Sequence, residues 1–244
     1  MWCDKDLLLK ALKEDLGAED ITAQAIIPKE RKVSAKIICK EEGILSGTQY
    51  VNQIFNLLDP HLTLEWFAHD GDLVKNKQKV FFIEGNAQNI LAGERLALNL
   101  LQHLSGVATQ THHLVKLLEG TLIEILDTRK TFPLWRKAQK EAVLHGGGKN
   151  HRFGLFDRFL IKENHIAAVG SLTLAVQSCK KYRSHVLIEV ETTCLAEVEE
   201  ALNTEADIIM LDNFPNNEML KAAKLIKKQS HKKVEVSGNI TKER

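Results

Sequence analysis

The chain has 244 residues, with 33 Lys and Arg against 32 Asp and Glu, so its formal net charge is +1. A charge this close to zero gives no general attraction to nucleic acid or to anionic membranes, and we expect neither as a partner. The length and a hydrophobic content of 44% suffice for one large domain or two modest ones. No apolar run approaches the ~20 residues that a membrane span needs. The N-terminus carries acids within its apolar run, unlike a signal peptide.

Four cysteines are scattered along the chain without a close pair: Cys3, Cys39, Cys179 and Cys194. This spacing argues against a structural zinc site and against a disulfide scaffold. We therefore expect reduced thiols and a cytoplasmic protein.

The first part of the chain predicts an N-terminal α+β domain over residues 1–105. Apolar residues at helical spacing predict a helix over 4–16 capped by Gly17, and alternation over 33–39 predicts a strand. Further elements are expected as a helix at 49–58, strands near 62–67 and 80–83 around an Asp70-Gly71 turn, and a long helical stretch over 90–118. Gly106 is a candidate break in that last stretch and starts the second domain, 106–244.

From residue 122 onward strands and helices alternate, which is typical of a parallel sheet. The strand candidates are 122–126, 159–161, 186–190, 208–211 and 234–236, with helices near 134–144, 172–181, 195–203 and 217–228. Polar residues follow each strand, namely Asp127, Arg129, Lys162, Glu191, Asp212, Ser237 and Gly238. Functional side chains at successive strand ends favour a (β/α) barrel over a doubly wound sheet, which uses its edge only near a switch point.

The stretch from Asp127 to His165 concentrates cations where strands end, which predicts an anion site. Its members are Arg129, Lys130, His151, Arg152 and Lys162. Such cations bind carboxylate and phosphate, while Glu191 and Asp212 are oxygen ligands suited to Mg²⁺, held directly or through water. Ser237-Gly238, before an expected helix at 239–241, could offer backbone N–H groups to a phosphate, although an ordinary turn fits equally well. The set is typical of phosphate-ester or phosphoribosyl chemistry.

Three neighbouring residues have secondary expectations. Asp127 is expected to anchor the Arg129-Lys130 pair by a salt bridge, and His165 to order the strand end beside it. Glu189 is expected to point away from Glu191.

Seven motifs, in order along the chain, carry a resemblance. They are EDLGAEDIT at 14–22, GERLALNLLQHLSG at 93–106, DTRKT at 127–131, GGGKNHRFGLFDRFLIKENHI at 146–166, IEVE at 188–191, DIIMLDNF at 207–214 and VEVSGNIT at 234–241. Together they resemble the quinolinate phosphoribosyltransferases, the carboxylating nicotinate-nucleotide pyrophosphorylases. The resemblance implies transfer of phosphoribose from phosphoribosyl pyrophosphate to quinolinate with decarboxylation, in de novo NAD biosynthesis.

The resemblance also implies an α/β architecture in which an N-terminal α+β domain precedes an open, seven-stranded type of (β/α) barrel. Family members continue past the position of Arg244, so the barrel is expected to be C-terminally incomplete in this chain. A homodimer with shared active sites is implied as well.

Residue roles follow from the same resemblance. Arg129, His151, Arg152 and Lys162 match the quinolinate pocket, and Arg95 matches an arginine that reaches it from the neighbouring subunit. Lys130 is implied between the two substrates, Glu191 and Asp212 on the ribose and Mg²⁺ side, and Ser237 and Gly238 in a phosphate loop. The implied catalytic set is Lys130, His151, Lys162, Glu191 and Asp212.

Three alternatives stay open from the sequence. One is an inactive or regulatory homologue of the same fold, and another is the related molybdenum-locus phosphoribosyltransferase-like protein. The third is a Schiff-base barrel aldolase using Lys162, against which the clustered arginines argue.

Overall fold

In a computed structural model, which describes residues 4–241, the chain divides into two compact units, Met1–His151 and Arg152–Arg244. Residues 106–151 belong to the first of these units, and the domain boundary expected after residue 105 stays a prediction. None of the helices described between residues 4 and 241 is long and apolar enough to cross a membrane.

The first unit is a mixed α/β body, as expected. Its helices are α1 Asp4–Leu16, α2 Ile21–Ile26, α3 Thr48–Leu58, α4 Ala87–Leu117 and α5 Arg136–His145. Its strands are β1 Lys32–Ile38, β2 Gly43–Ile44, β3 Thr63–Trp66, β4 Leu73–Val74 and β5 Lys79–Asn86. Antiparallel pairing gives the order β1-β5-β3, and β2 and β4 form a separate antiparallel pair.

The core of the first unit lies where α3 and α4 pack together beside the three-stranded sheet. In α3, Val51, Ile54 and Phe55 repeat at helical spacing and are all buried. Phe81 of β5 continues this core, with its ring centroid 4.4 Å from that of Trp66. The expected α1 is confirmed, and Gly17 follows it with a φ of +59°, the left-handed conformation that suits a residue just after a helix.

The expected break in α4 at Gly106 is wrong, because the helix continues through it to Leu117. Leu104 and Ala108, on either side of the glycine, are fully packed in the core. Their burial outweighs the roughly 1 kcal/mol that a glycine costs inside a helix. Tertiary packing therefore decides the helix length here.

The strand expected over 122–126 is also wrong. Leu122 and Ile123 are exposed, and the segment contributes only an isolated parallel bridge between Leu126 and Lys149. An apolar run predicts a strand only when a partner covers it, and these side chains are not covered.

The second unit is a parallel α/β sheet, as expected. Its strands are β6 Phe159–Ile161, β7 Ile188–Thr192, β8 Ile208–Asp212 and β9 Lys233–Ser237, and its helices are α6 Glu163–Val169, α7 Leu172–Tyr182, α8 Leu195–Leu202 and α9 Asn216–Gln229. The spatial order β6-β7-β8-β9 follows the chain order. This is the winding of a (β/α) barrel, without the reversal of a doubly wound sheet. The incompleteness of the barrel stays a prediction.

The two faces of this parallel sheet differ in chemistry. Ile188, Val190, Ile209 and Leu211 belong to one face and pack with α7, α8 and α9 in a second core. The alternate residues form what we term the polar face, which comprises Arg158, Leu160, Lys162, Glu189, Glu191, Ile208, Met210, Asp212, Lys233, Glu235 and Ser237. Charged residues are concentrated on this face.

Candidate active site

The carboxyl ends of the four parallel strands bring together the predicted residues of the second unit. Strand register aligns Asp212 of β8 with Ser237 of β9, and Ile161 with Val190, so that Lys162 stands level with Glu191. Neighbouring strands are about 4.8 Å apart, so this edge is roughly 15 Å wide. It is the edge at which parallel α/β proteins carry their active sites.

Lys162 and Glu191 form an ion pair at this edge. Lys162 Nζ lies 2.6 Å from Glu191 Oε2, and the two side chains are 47% and 15% exposed. The Lys162 backbone N–H donates to His165 Nδ1 at 3.0 Å, which confirms the expectation that His165 orders this strand end. The pair is therefore accessible to a ligand, and the backbone of Lys162 is held by the first turn of α6.

The expectation that Glu189 points away from Glu191 is wrong. The two are two positions apart, and side chains alternate along a strand, so both lie on the polar face. Glu189 is fully buried, and its Oε2 accepts a hydrogen bond from Arg158 Nη1 at 3.2 Å. A carboxylate oxygen of Glu235 lies within 4.8 Å of one of Glu189.

Arg158 was missed by the sequence reasoning. A signal for it existed, because Arg158 precedes Lys162 by four positions in FDRFLIK and so shares its face of the strand.

Asp212 is oriented by the residue that follows it. Asn213 Nδ2 donates to Asp212 Oδ2 at 2.8 Å, and the Asn213 backbone N–H donates to Ser237 O at 3.0 Å. Gly238 has a φ of +84°, and a Cβ there would meet Asn213 Oδ1 at 2.2 Å. Only glycine therefore fits this close approach of the two strand ends.

The helix expected after Gly238 is wrong, since residues 239–241 contain none. Asn213 and Asn239 instead adopt positive φ values of 55° and 52°. The turn is formed by backbone in the left-handed conformation rather than by a helix N-terminus.

Arg152 is the last predicted residue of the second unit. Its side chain is buried, and Nη1 donates to Arg158 O at 3.3 Å. The adjoining turn is fixed by Asp157, whose carboxylate accepts from Phe153 N at 2.6 Å and Gly154 N at 2.9 Å.

The remaining predicted residues lie in the first unit. His151 is buried, Lys130 is exposed and Arg129 is half-buried. Arg129 Nε is itself buried, and the part of the chain that the structure describes offers it no hydrogen-bond partner. Arg95 is exposed on α4, in a shallow surface cavity shared with Thr22 of α2.

Asp127 does not form the salt bridge expected with Arg129 or Lys130. Its carboxylate bonds instead to Lys140 Nζ and accepts from the His151 backbone N–H at 2.8 Å. Lys140 lies in α5, and its apolar neighbours Ala138 and Ala142 are buried with it. The sequence reasoning missed this lysine, because a lysine in a helix is usually exposed.

Comparison with known proteins assigns the two parts of the chain. The N-terminal domain of quinolinate phosphoribosyl transferase matches residues 20–105, and the C-terminal domain matches residues 107–244. A probable carboxylating nicotinate-nucleotide pyrophosphorylase of Bacillus subtilis is 41% identical over 98% of this chain and 82% of its own length. A chloroplastic carboxylating nicotinate-nucleotide pyrophosphorylase of Arabidopsis thaliana is 40% identical over 98% of this chain and 73% of its own length.

Solved structures agree with this assignment. The nicotinate-nucleotide pyrophosphorylase of Francisella tularensis superposes with a TM-score of 0.92 at 43% identity, covering 97% of this chain and 83% of that one. A protein from Streptococcus pyogenes, described as NadC, gives the same TM-score at 40% identity, covering 97% of this chain and 84% of that one. The chain therefore belongs to the quinolinate phosphoribosyltransferase family.

Proposed function

We propose that this protein transfers phosphoribose from phosphoribosyl pyrophosphate to the ring nitrogen of quinolinate, releasing nicotinate mononucleotide, pyrophosphate and CO₂ in NAD biosynthesis. The observation that carries the proposal is the group at the sheet edge: the accessible Lys162–Glu191 pair beside Asp212 and Ser237. A cation, two carboxylates and a tight backbone turn suit a phosphorylated sugar, and they occur here in a member of the family.

The first step concerns the donor. The bond between C1 of the ribose and the pyrophosphate oxygen breaks, its electron pair leaves with pyrophosphate, and the quinolinate nitrogen lone pair forms the new bond to C1. Positive charge develops on the ribosyl centre, where the carboxylates of Glu191 and Asp212 stabilise it, and Lys162 stabilises developing negative charge. Asn213 keeps the Asp212 carboxylate in orientation for this role.

The second step is loss of CO₂. The quaternised ring nitrogen withdraws electrons, so the bond from C2 to its carboxylate breaks and the electron pair stays on C2 until a proton arrives. Arg129, His151 and Arg152 bind the two carboxylates of quinolinate in this proposal, as the resemblance predicts. Lys162 and His151 are the candidates for supplying the proton, and Lys130 is assigned between the two substrates.

Mg²⁺ is the proposed cofactor. The carboxylates of Glu191 and Asp212 fit it, because they are oxygen ligands that reach the same sheet edge from neighbouring strands. Bound with the donor, the ion would neutralise charge on the departing pyrophosphate.

We further propose that the protein is a cytoplasmic homodimer. In this dimer Arg95 of one subunit completes the quinolinate pocket of the other. What supports a role for Arg95 is its exposure on α4. Exposure alone does not separate a substrate-binding arginine from an ordinary surface arginine, and the activity of the variant Arg95→Ala does. If each active site is formed by two subunits, a mixture of equal amounts of Arg95→Ala and Lys162→Met protein should regain activity that neither variant has alone.

The direct test is an assay with quinolinate, phosphoribosyl pyrophosphate and Mg²⁺ that follows CO₂ and nicotinate mononucleotide together. Equal molar release of both products supports the proposal. No product from the folded protein would favour an inactive or regulatory homologue, or the molybdenum-locus relative. Replacing quinolinate with nicotinate is the specificity control, since turnover of nicotinate alone would contradict the decarboxylating assignment.

A further inference from the structure

A buried lysine outside the predicted active-site residues lies next to two segments that carry them. Lys140 of α5 has a side chain only 2% exposed, and Asp127, to which it bonds, is 6% exposed. Lysine is almost never buried to this degree unless it is paired, because removing the ammonium from water is costly. The position of Lys140 therefore calls for a functional or structural reason.

Lys140 is part of a compact group with Asp127, Asn150 and His151, which we term the Lys140 cluster. Lys140 Nζ bonds to Asp127 Oδ1 and donates to the His151 carbonyl at 2.9 Å. The same Oδ1 accepts from the His151 backbone N–H at 2.8 Å. The Asn150 amide, oriented by its partners, donates to Asp127 Oδ2 at 2.6 Å and to Lys140 O at 3.0 Å.

The Lys140 cluster joins two segments that have little regular structure of their own. Residues 127–135 contain no helix or strand, and residues 149–151 precede the second unit as irregular chain. Backbone bonds join the two segments where Asp127 N donates to Lys149 O at 3.1 Å and Lys149 N donates to Ile125 O at 2.8 Å. Beyond that bridge, the contacts of Lys140 and Asp127 fix the spacing of the segments.

We propose that Lys140 is a positioning residue of the transferase, which sets the placement of Arg129, Lys130 and His151 through Asp127 and the His151 backbone. Arg129 follows Asp127 by two residues, and His151 is itself bonded on both its N–H and its carbonyl. A shift of about 1 Å in such groups can cost a catalyst roughly 100-fold. This inference rests on the proposed function, since only there do the three side chains contact substrate.

The test compares the full-length variant Lys140→Met with Val51→Ala. Val51 is fully buried in α3 and belongs to the core rather than to any predicted site, so its truncation lowers stability without touching the Lys140 cluster. Assays are run below the melting temperature of both variants. We expect Lys140→Met to lower kcat/KM for quinolinate by roughly 10- to 100-fold, with KM for phosphoribosyl pyrophosphate within about twofold. Val51→Ala should leave both parameters near wild type.

A second variant guards against failure of Lys140→Met to fold. Asp127→Asn/Lys140→Met removes both buried charges, which is far less destabilising than leaving one of them alone. We expect this double variant to fold and still to show the selective loss for quinolinate. Wild-type kinetics in the double variant, or equal losses for Lys140→Met and Val51→Ala, would overturn the proposal.

Hydrogen exchange separates this inference from the function on which it rests. Peptides covering 127–131 and 149–151 should exchange faster in Lys140→Met than in the wild type, while α3 is unchanged. Unchanged exchange in those peptides would also overturn the proposal. Calorimetric titration of the wild type with quinolinate tests the function separately, because absence of binding would contradict the proposed substrate whatever the exchange shows.

Discussion

Two ion pairs lie on the polar face of the parallel sheet and differ in access to solvent: a lower pair, Arg158–Glu189, and an upper pair, Lys162–Glu191, which is nearer the carboxyl ends of the strands. In the lower pair, Arg158 and Glu189 side chains are 19% and 0% exposed. In the upper pair, Lys162 and Glu191 are 47% and 15% exposed. The same acid and base pattern thus gives a buried pair that compensates a charge inside the protein and an accessible pair that a substrate can reach.

The largest expected effect comes from the lower pair. Arg158→Met removes the cation bonded to the Glu189 carboxylate, which is buried and has the Glu235 carboxylate within 4.8 Å. We expect the free energy of unfolding to fall by about 3–5 kcal/mol, as when one partner of a buried pair is removed. Urea denaturation measures the loss.

The matched variant for Arg158 is the double change Arg158→Met/Glu189→Gln, which removes both charges. It should regain most of the lost stability, because the buried side chain at position 189 then carries no charge. A double variant as unstable as the single one would mean that the hydrocarbon part of Arg158 is what stabilises the unit.

The upper pair should behave in the opposite way. Lys162→Met should lower kcat/KM by about 100-fold or more, because a preorganised charge at the reacting centre is lost. Its free energy of unfolding should change by less than about 1 kcal/mol, as for other exposed pairs. Lys180→Met is the control, since Lys180 pairs with Glu205 at 3.6 Å at the surface, away from the carboxyl edge, and should alter neither quantity.

The backbone beside the upper pair gives a smaller, more selective effect. Gly238→Ala places a Cβ against Asn213 and should raise KM for phosphoribosyl pyrophosphate by roughly 10-fold, while KM for quinolinate stays within about twofold. Gly170→Ala is matched to it, because Gly170 also has a positive φ, of +103°, but open space around it. A similar rise in both variants would attribute the effect to backbone strain and not to the contact with Asn213.

The smallest effect is expected at the opposite edge of the sheet. Lys232 Nζ donates to Thr204 O at 2.7 Å and to Ala206 O at 2.6 Å, at the amino ends of the strands. Lys232→Met should cost about 1 kcal/mol of stability and leave turnover unchanged, since that edge of such folds serves stability. Reduced turnover at unchanged stability would contradict this separation of the two edges.

The titration of Lys232 also predicts how the free energy of unfolding depends on pH. Burial lowers the pKa of Lys232 from its ordinary value of 10.5. The unfolded chain therefore holds this proton more tightly than the folded protein does, and stability rises with pH across the window just below 10.5. Denaturation of wild type and Lys232→Met side by side should show that rise only in the wild type.

The sequence was sufficient to predict the parallel strands and most of the residues at their carboxyl ends. The buried strand β8 is a short apolar run that ends in an acid, Asp212, and this pattern is recognisable in the sequence without knowledge of the neighbouring strands. The short helix α6 was not predicted, since none of its residues is buried and so no apolar period marks it. The strand expected at 122–126 had the apolar run but lacked the cover that makes a run into a strand.

The errors at the candidate site have different physical causes. Glu189 precedes Glu191 by two positions, so the two-residue period of a strand places both side chains on one face, contrary to the expectation. The ion-pair partners of Lys140 and Arg158 could not be assigned from the sequence. The partner of Lys140, Asp127, is 13 positions away, and the partner of Arg158, Glu189, is 31 positions away. Local patterns place side chains on faces, and only the tertiary structure pairs them.

The unbroken α4 has a consequence for any attempt to divide the protein. The two family domains meet between residues 105 and 107, in the interior of this 31-residue helix. A fragment ending at 105 would strip α4 of about three turns and leave Leu100, Leu101 and Leu104 beside a frayed end. The boundary between the two family domains is thus a poor place to divide the chain, and separately expressed halves should recover structure only when mixed.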